Sequence, residues 1–476
     1  MSSPSTLPEL EADVLRDLDL TAHPRAPWLL PKTSGGRPVL DCLVIGGGQC
    51  GLAVAFALKR DKVDNLLVID RAEEGREGPW VTYARMRSLR SLKDQTGPDL
   101  RIPSLTYQAW HEAQFGAADF AAMTLIPKEL WNDYLVWFRR VTGIPVRNGV
   151  TAGRITPART DDGLPCLAVE TTAGPMLARK VVLATGQEGV GGPWMPDYVT
   201  ALPKHLRAHA WDPIDFGALR GKVVAVLGAG ASAFDNAATA LEAGAAEVHL
   251  FCRRADPMVV QPYRWLTFAG FLRHLGDMPD EWRWRFMAKI LGMREGFAQG
   301  TYDRANAHPN FTMQIGRPWT GARADGGRLV LATTRGDFTA DFAICGTGVR
   351  MDPRAVPMLA DCAHNIALWA DRYTPPAAEA NERLGGFPYL APDFAFVERQ
   401  PGQTPWVRDI HLFGIGTSMS FGPAGSSINA MSIAAPRIAA GVTRGLFEGD
   451  LPRLYADLEA YDVPQVVLEE SRLATA

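Results

Sequence analysis

At 476 residues the chain is long enough to bury more than one hydrophobic core, so two or more domains are expected. Its composition, 47% hydrophobic and 21% charged, is that of an ordinary soluble globular protein. A net charge of −3 and the lack of a basic run give no reason to expect a nucleic-acid or anionic-membrane partner.

Residues 1–20 hold five acids and one base, Arg16, without an apolar segment, and so do not read as a targeting leader. Glu9 to Leu20 predicts a short helix, and PRAPWLLPKTSGGRP (24–38) an extended arm. VLDCLVI (39–45) predicts a buried parallel strand. The apolar run 43–58 is glycine-rich, contains Gln49 and ends in Lys59-Arg60, which suits strand, turn and helix rather than a membrane span. LLVID (66–70) predicts the next strand. VRNGVTAGRITPA, PCLAVETT and ARKVVLA, between 146 and 184, predict a small meander. GKVVAVL (221–227) and AEVHLF (246–251) are further strands, and 259–290 reads as inserted helices. The cysteines at 42, 50, 166, 252, 345 and 362 form no CxxC pair, which fits a reducing, cytoplasmic location. His205 and His209 are four apart, but no zinc spacing accompanies them; they read as structural and no metal is expected. No G-x-S-x-G nucleophile motif occurs.

Two stretches carry chemistry. Gly46, Gly48 and Gly51 form G-x-G-x-x-G between a strand and a helix, and Asp70 ends the following strand. Gly46 permits the tight turn, Gly48 lets a pyrophosphate approach the backbone, and Gly51 lets helix and strand pack closely. The helix N-terminus favours the phosphates, and Asp70 is placed for a ribose hydroxyl pair. Gly228-Ala229-Gly230-Ala231-Ser232-Ala233 repeats the pattern as G-x-G-x-x-A. Laid over the first unit, it puts Cys252 where Asp70 stood, followed by Arg253-Arg254. A carboxylate there would repel a 2′-phosphate, whereas guanidinium groups bind one. The first unit therefore suits a free ribose and the second suits NADP, the alternative for the two arginines being a solvated strand end.

With these two units the chain resembles the flavoproteins with two dinucleotide-binding domains: the flavin-containing monooxygenases and their N-hydroxylating and Baeyer–Villiger relatives. Gly78-Pro79-Trp80 is similar to the family's G-x-W segment, VVLATG (181–186) and FAICGTG (342–348) to its two interdomain exits, and DIHLFGIG (409–416) to its late strand by the FAD pyrophosphate. The resemblance covers roughly residues 38–460. It implies an α/β fold of two Rossmann-like domains, the NADP domain inserted in the FAD domain. Residues 1–37 are then an N-terminal arm, 38–205 and 346–476 the FAD domain with a C-terminal tail, and 206–345 the NADP domain with its helical insertion. For FAD it implies Gly46, Gly48, Gln49, Cys50, Gly51, Asp70, Arg71, Trp80, Val150, Thr185, Gly186 and Gly416, with a helix from about Ser426 aimed at the flavin ring. For NADPH it implies Gly228, Gly230, Ala231, Ser232, Arg253 and Arg254.

Three segments depart from the family. In the linker LPKHLRAHAWDPIDF (202–216), Arg207 stands where the Baeyer–Villiger fingerprint has histidine if Trp211 takes the aromatic place. Leu92 stands where the flavin-containing monooxygenases have asparagine; Lys93 and Asp94 are the candidates to act there, or else form a surface ion pair. Trp265, Phe268, Phe271, Trp282 and Trp284 either line a substrate pocket or pack as core. The resemblance implies that NADPH reduces FAD, that O₂ is captured as a flavin hydroperoxide, and that one oxygen passes to a small soluble substrate. Nitrogen or sulfur is the expected acceptor, ahead of a ketone; an NADPH oxidase or electron-transfer reductase is the alternative. A disulfide reductase is disfavoured by the lack of a redox cysteine pair. Oligomerisation is left open.

Overall fold

The computed structural model describes residues 6–95, 97–293, 296–425 and 427–467. Two sheets, the first with a parallel core and antiparallel additions and the second wholly parallel, organise the chain and give two Rossmann-like units. In the first, Arg37–Ile45 lies between Leu66–Ile69 and Met176–Gly186, all parallel. Leu66–Ile69 pairs outward with Val146–Arg147. The long strand Met176–Gly186 changes partner along its length. Its first half pairs with the antiparallel meander Ala152–Arg159 and Pro165–Thr171, its second half with Ile410–Gly414, which returns from late in the chain.

The second sheet is wholly parallel, in the order Phe311–Ile315, Glu247–Cys252, Val223–Leu227, Phe342–Cys345, Arg207–His209. The two chain crossings between the sheets pair with each other: Gly191–Pro193 runs antiparallel to Val349–Met351. A Cβ at Gly191 would lie 2.0 Å from the Arg350 carbonyl oxygen, so only glycine fits this crossing. The buried His209 ties the crossing further. Its Nδ1 accepts from Trp211 N–H at 3.3 Å, leaving Nε2–H to donate to Gly348 O at 3.2 Å. Burial holds its pKa below the ordinary value, so the ring is a neutral hinge pin.

Two placements differ from expectation. The arm 24–38 is partly a hairpin: Lys32–Ser34 pairs with Arg37–Val39 across Gly35 and Gly36, both at positive φ (57° and 73°). A two-residue turn of that hand matches strand twist and favours glycine. The inserted helices do not join the second sheet's core. Leu266, Phe271, Leu275, Trp284, Met287 and Ile290 belong to the core of the first sheet. Trp284 packs on Trp369 and donates to Glu379 O at 3.1 Å. No helix among the described residues is long and apolar enough to cross a membrane.

Candidate active site

The first fingerprint is built by close approach. Gly46 has φ +113°, and a Cβ there would sit 2.3 Å from Ala184 O; a Cβ on Gly51 would sit 1.8 Å from Gly46 O. Gly48 caps the helix Gln49–Arg60, and its nearest would-be contact is 3.8 Å away, leaving an open cradle. Asp70 accepts from Gly47 N–H and Ala72 N–H, both at 2.7 Å, one on each carboxylate oxygen. Each oxygen keeps a lone pair for a ribose hydroxyl. Arg71 is turned to Glu188 (2.6 Å). Val150 is buried and its N–H donates to Asp70 O at 2.9 Å. Thr185 donates to Gly189 O at 3.0 Å, Gly186 stands opposite Gly414 at φ +65°, and Gly416 lies in the turn after Ile410–Gly414. Gln49 accepts from Trp131 Nε1 at 3.1 Å. The Cys50 thiol is pushed up to about 12 by burial and is chemically quiet. Trp80 is buried with its indole N–H unpartnered, an orphan donor that a flavin cofactor can satisfy. Cradle, acid and orphan donor together fit FAD.

A second carboxylate behind the same turn escaped the sequence reading. Glu77 accepts from Asn148 Nδ2 at 2.6 Å and Arg139 Nη1 at 3.1 Å, and lies against Gly47. Its partners come from three distant segments, and no local signal marks it.

The second fingerprint repeats the construction. A Cβ on Gly228 (φ +118°) would sit 2.5 Å from Gly346 O, while Gly230, capping the helix Ala231–Glu242, has nothing within 4 Å. Ala233 takes the third position because Gly346 packs on it, with 2.6 Å between Cβ atoms if Gly346 had one. Arg253 and Arg254 leave the end of Glu247–Cys252, Arg254 donating to Gly292 O at 2.9 Å.

A cavity of about 1640 Å³ joins the two units; Gln49, Trp80, Gly228, Ser232, Arg253 and Arg254 all reach its wall. It exceeds the usual range for one small ligand, roughly 300–1,000 Å³, and has room for two cofactors' reactive ends and a substrate. Its wall carries more cations than acids: Arg85, Arg264, Arg350 and Arg383 also line it, against Asp235, Asp352 and Glu382. Across it Arg90 of the first unit reaches Asp235 of the second at 2.7 Å. Ser426 lies outside the described residues; the helix Ile428–Glu459 begins two positions later, with Ile428 and Asn429 at the cavity.

The expected catalytic pair is not at this cavity. Lys93 donates to the carbonyls of Phe120 (2.6 Å) and Ala121 (3.0 Å) and sits over the Phe120 ring; Asp94 is exposed. Ser91, Leu92 and Gln95 line the cavity, whereas Lys93 and Asp94 do not. The aromatic wall is also different from that expected. Trp265 and Trp282 are exposed (59% and 49%), and Phe271 and Trp284 are core. The aromatic rings that do face the cavity are Trp80, Tyr83, Trp194, Tyr198, Trp211, Phe251 and Trp319, with Tyr263 from the inserted segment. Trp265→Ala is therefore expected to leave peroxide released per NADPH unchanged, measured by a coupled peroxidase assay; a clear rise would return Trp265 to the site.

Fold and cavity define a two-domain FAD-dependent oxidoreductase of the monooxygenase class, with NADPH as the reductant typical of such proteins. Residues 43–269 match the family described as pyridine nucleotide-disulphide oxidoreductase. No disulfide joins cysteines among the described residues, and all six are buried. The chain is 40% identical over 464 residues to the FAD-dependent urate hydroxylase of Xanthomonas campestris pv. campestris, covering 97% of this chain and 98% of that one. The chain belongs to the family of that hydroxylase. The L-lysine 6-monooxygenase of Pseudomonas syringae shares the fold (TM-score 0.65, 19% identity, 85% of this chain and 99% of that chain). So does an ornithine N-hydroxylase from Kutzneria sp. 744 (TM-score 0.63, 17% identity, 86% and 99%).

Proposed function

We propose that the protein hydroxylates urate, or an oxopurine close to it, using NADPH and O₂. We also propose that the FAD domain is 38–205 with 346–476, and the NADP domain the inserted 206–345. The observation that carries the substrate is the 40% identity to a urate hydroxylase, spread over 97% of the chain. NADPH supplies two electrons as hydride; one oxygen atom of O₂ enters the substrate, and the other leaves as water with that hydrogen and one proton from solution. Bound FAD would supply the redox chemistry between NADPH and O₂.

The chain's own residues bind and orient. Gly46, Gly48, Gly51 and Asp70 hold FAD, and Gly228, Gly230, Arg253 and Arg254 hold NADPH. Urate is a planar anion at neutral pH, and three features of the cavity suit it. Arg85 has no carboxylate partner among the described residues. It donates to Thr82 O (2.9 Å) and Asp212 O (3.2 Å), while its Nε is buried without a partner. Tyr83 and Trp211, with centroids 5.7 Å apart and ring planes tilted by 37°, offer two aromatic faces against which a planar ring can pack. Gln95 Oε1 is buried and unpartnered, an acceptor for a ring N–H. Of the nitrogen and sulfur acceptors expected from the sequence, urate offers nitrogen alone, beside its ring carbons.

The test is turnover of urate with NADPH under ¹⁸O₂. Urate should stimulate NADPH consumption, and the product should gain one labelled oxygen, whose position identifies the acceptor atom. Arg85→Met should raise the urate KM by about tenfold or more, as expected for one charge-assisted contact, with the NADPH KM unchanged. NADPH oxidation indifferent to urate, with peroxide as the sole product, would overturn the reading in favour of an oxidase.

A further inference from the structure

The inserted helix Asp280–Met293 ends at the cavity, and its last carbonyls hold two guanidinium groups from distant parts of the chain. Leu291 O accepts from Arg383 Nη2 at 3.3 Å, and Gly292 O, the next along, accepts from Arg254 Nη2 at 2.9 Å. Arg254 and Arg383 are thereby seated side by side. Arg253 is adjacent. Packing around Arg383, and after it the charge of Arg253, holds the Arg383 pKa below its ordinary value. None of the three has a carboxylate partner among the described residues, and all three face the cavity.

A helix C-terminus carries only about half a negative charge, so among the described residues three full positive charges stand without an ion-pair partner. Like charges gathered without a counter-ion mark the place of an anion that arrives from solution, and a dianion matches them best. The place itself says which anion. The end of the second strand of a G-x-G-x-x-A unit is where the adenosine ribose of a bound dinucleotide lies. Arg383 comes from outside that unit. It sits on the short helix Glu382–Gly385, whose Leu384 is fully buried in the core of the first sheet.

We infer that Arg383 completes the 2′-phosphate site with Arg253 and Arg254, so that NADPH is clasped between the second unit and the flavin side of the molecule. This rests on the NADPH reading above. It adds a phosphate reader from outside the fingerprint, and it explains what the end of the inserted helix does, since its carbonyls seat the arginines.

Titration calorimetry of the FAD-loaded protein with NADP⁺ and with NAD⁺ tests it. Wild type should bind NADP⁺ more tightly than NAD⁺. Arg383→Ala should weaken NADP⁺ by about tenfold or more and leave NAD⁺ unchanged, with a shallower salt dependence for NADP⁺. Arg383→Lys should recover part of the loss. Equal weakening of both nucleotides, or none for NADP⁺, would overturn the role of Arg383 while leaving the NADPH reading in place. A wild type that fails to distinguish the two nucleotides would overturn both.

Discussion

Gly51→Ala is expected to yield protein without bound flavin and less stable by about 3 kcal/mol, the upper end of ordinary overpacking. The added methyl would lie 1.8 Å from Gly46 O, where real Cβ atoms keep beyond about 3.0 Å. The obstacle is backbone, so no side chain can turn aside. The helix Gln49–Arg60 would have to lift off its strand, yet Cys50 through Leu58 are all buried, and it packs on the C-terminal helix Ile428–Glu459. Moving it breaks the core; leaving it distorts the turn that presents the phosphate cradle. Gly48→Ala makes the contrast. Its φ is −72° and its nearest contact 3.8 Å, so the fold accepts a methyl there. It should lose flavin affinity by crowding the cofactor while keeping the melting temperature of the apoprotein. Flavin-to-protein stoichiometry after gel filtration, with thermal unfolding of apoprotein, separates the two. Gly51→Ala with full flavin content and an unchanged melting temperature would remove the close-approach argument.

What could be read from the sequence was what is local. Gly46, Gly51 and Asp70 span 25 positions, and the physics that ties them, a tight turn and a strand-to-helix contact, acts within that span. The same holds for Gly228 to Arg254. The errors arose where partners come from far along the chain. Trp265 and Trp282 have the composition of a pocket wall, but their direction depends on the inserted helices docking against the first sheet's core, which is built from segments distant on either side. Lys93 and Asp94 sit beside the cavity-facing Leu92, yet one residue along the loop turns a side chain away, and the Phe120 and Ala121 carbonyls then hold the lysine. Arg383 carries no motif at all; only the folded chain sets it beside Arg254. The Gly35-Gly36 hairpin is the exception, a two-residue glycine turn visible in the sequence and read as an arm.

Arg179→Met is expected to destabilise the protein by about 3–5 kcal/mol at pH 8, the usual result of leaving a buried acid without its cation, and by clearly less at pH 5. Arg179 is itself buried. It holds Asp450 at 2.9 Å, Leu446 O at 3.0 Å and Asp41 at 3.6 Å. Asp450 keeps a second cation, Lys32 at 3.3 Å, but Asp41 has no other within ion-pair distance among the described residues. Burial pushes the Asp41 pKa up to about 6 from an ordinary 3.8, with Arg179 working in the opposite direction. The folded state therefore binds this proton more tightly than the unfolded state. Stability linked to it, about 3 kcal/mol, is fully present below pH 3.8 and is lost as the pH rises through about 6. Removing Arg179 raises the Asp41 pKa further, so the variant suffers most where Asp41 must ionise and least where it keeps its proton. Asp41→Asn in the Arg179→Met background should restore much of the loss at pH 8. The cluster also bears on the site. The strand Met176–Gly186 starts near Arg179 and ends at Thr185-Gly186; the helix Ile428–Glu459 starts at the cavity and carries Asp450 near its far end. Arg179 clasps the two elements at the end remote from the cavity. Thermal unfolding of holoprotein and apoprotein between pH 5 and pH 8 measures the effect; a loss that does not change with pH would show that Arg179 acts by packing and not by charge.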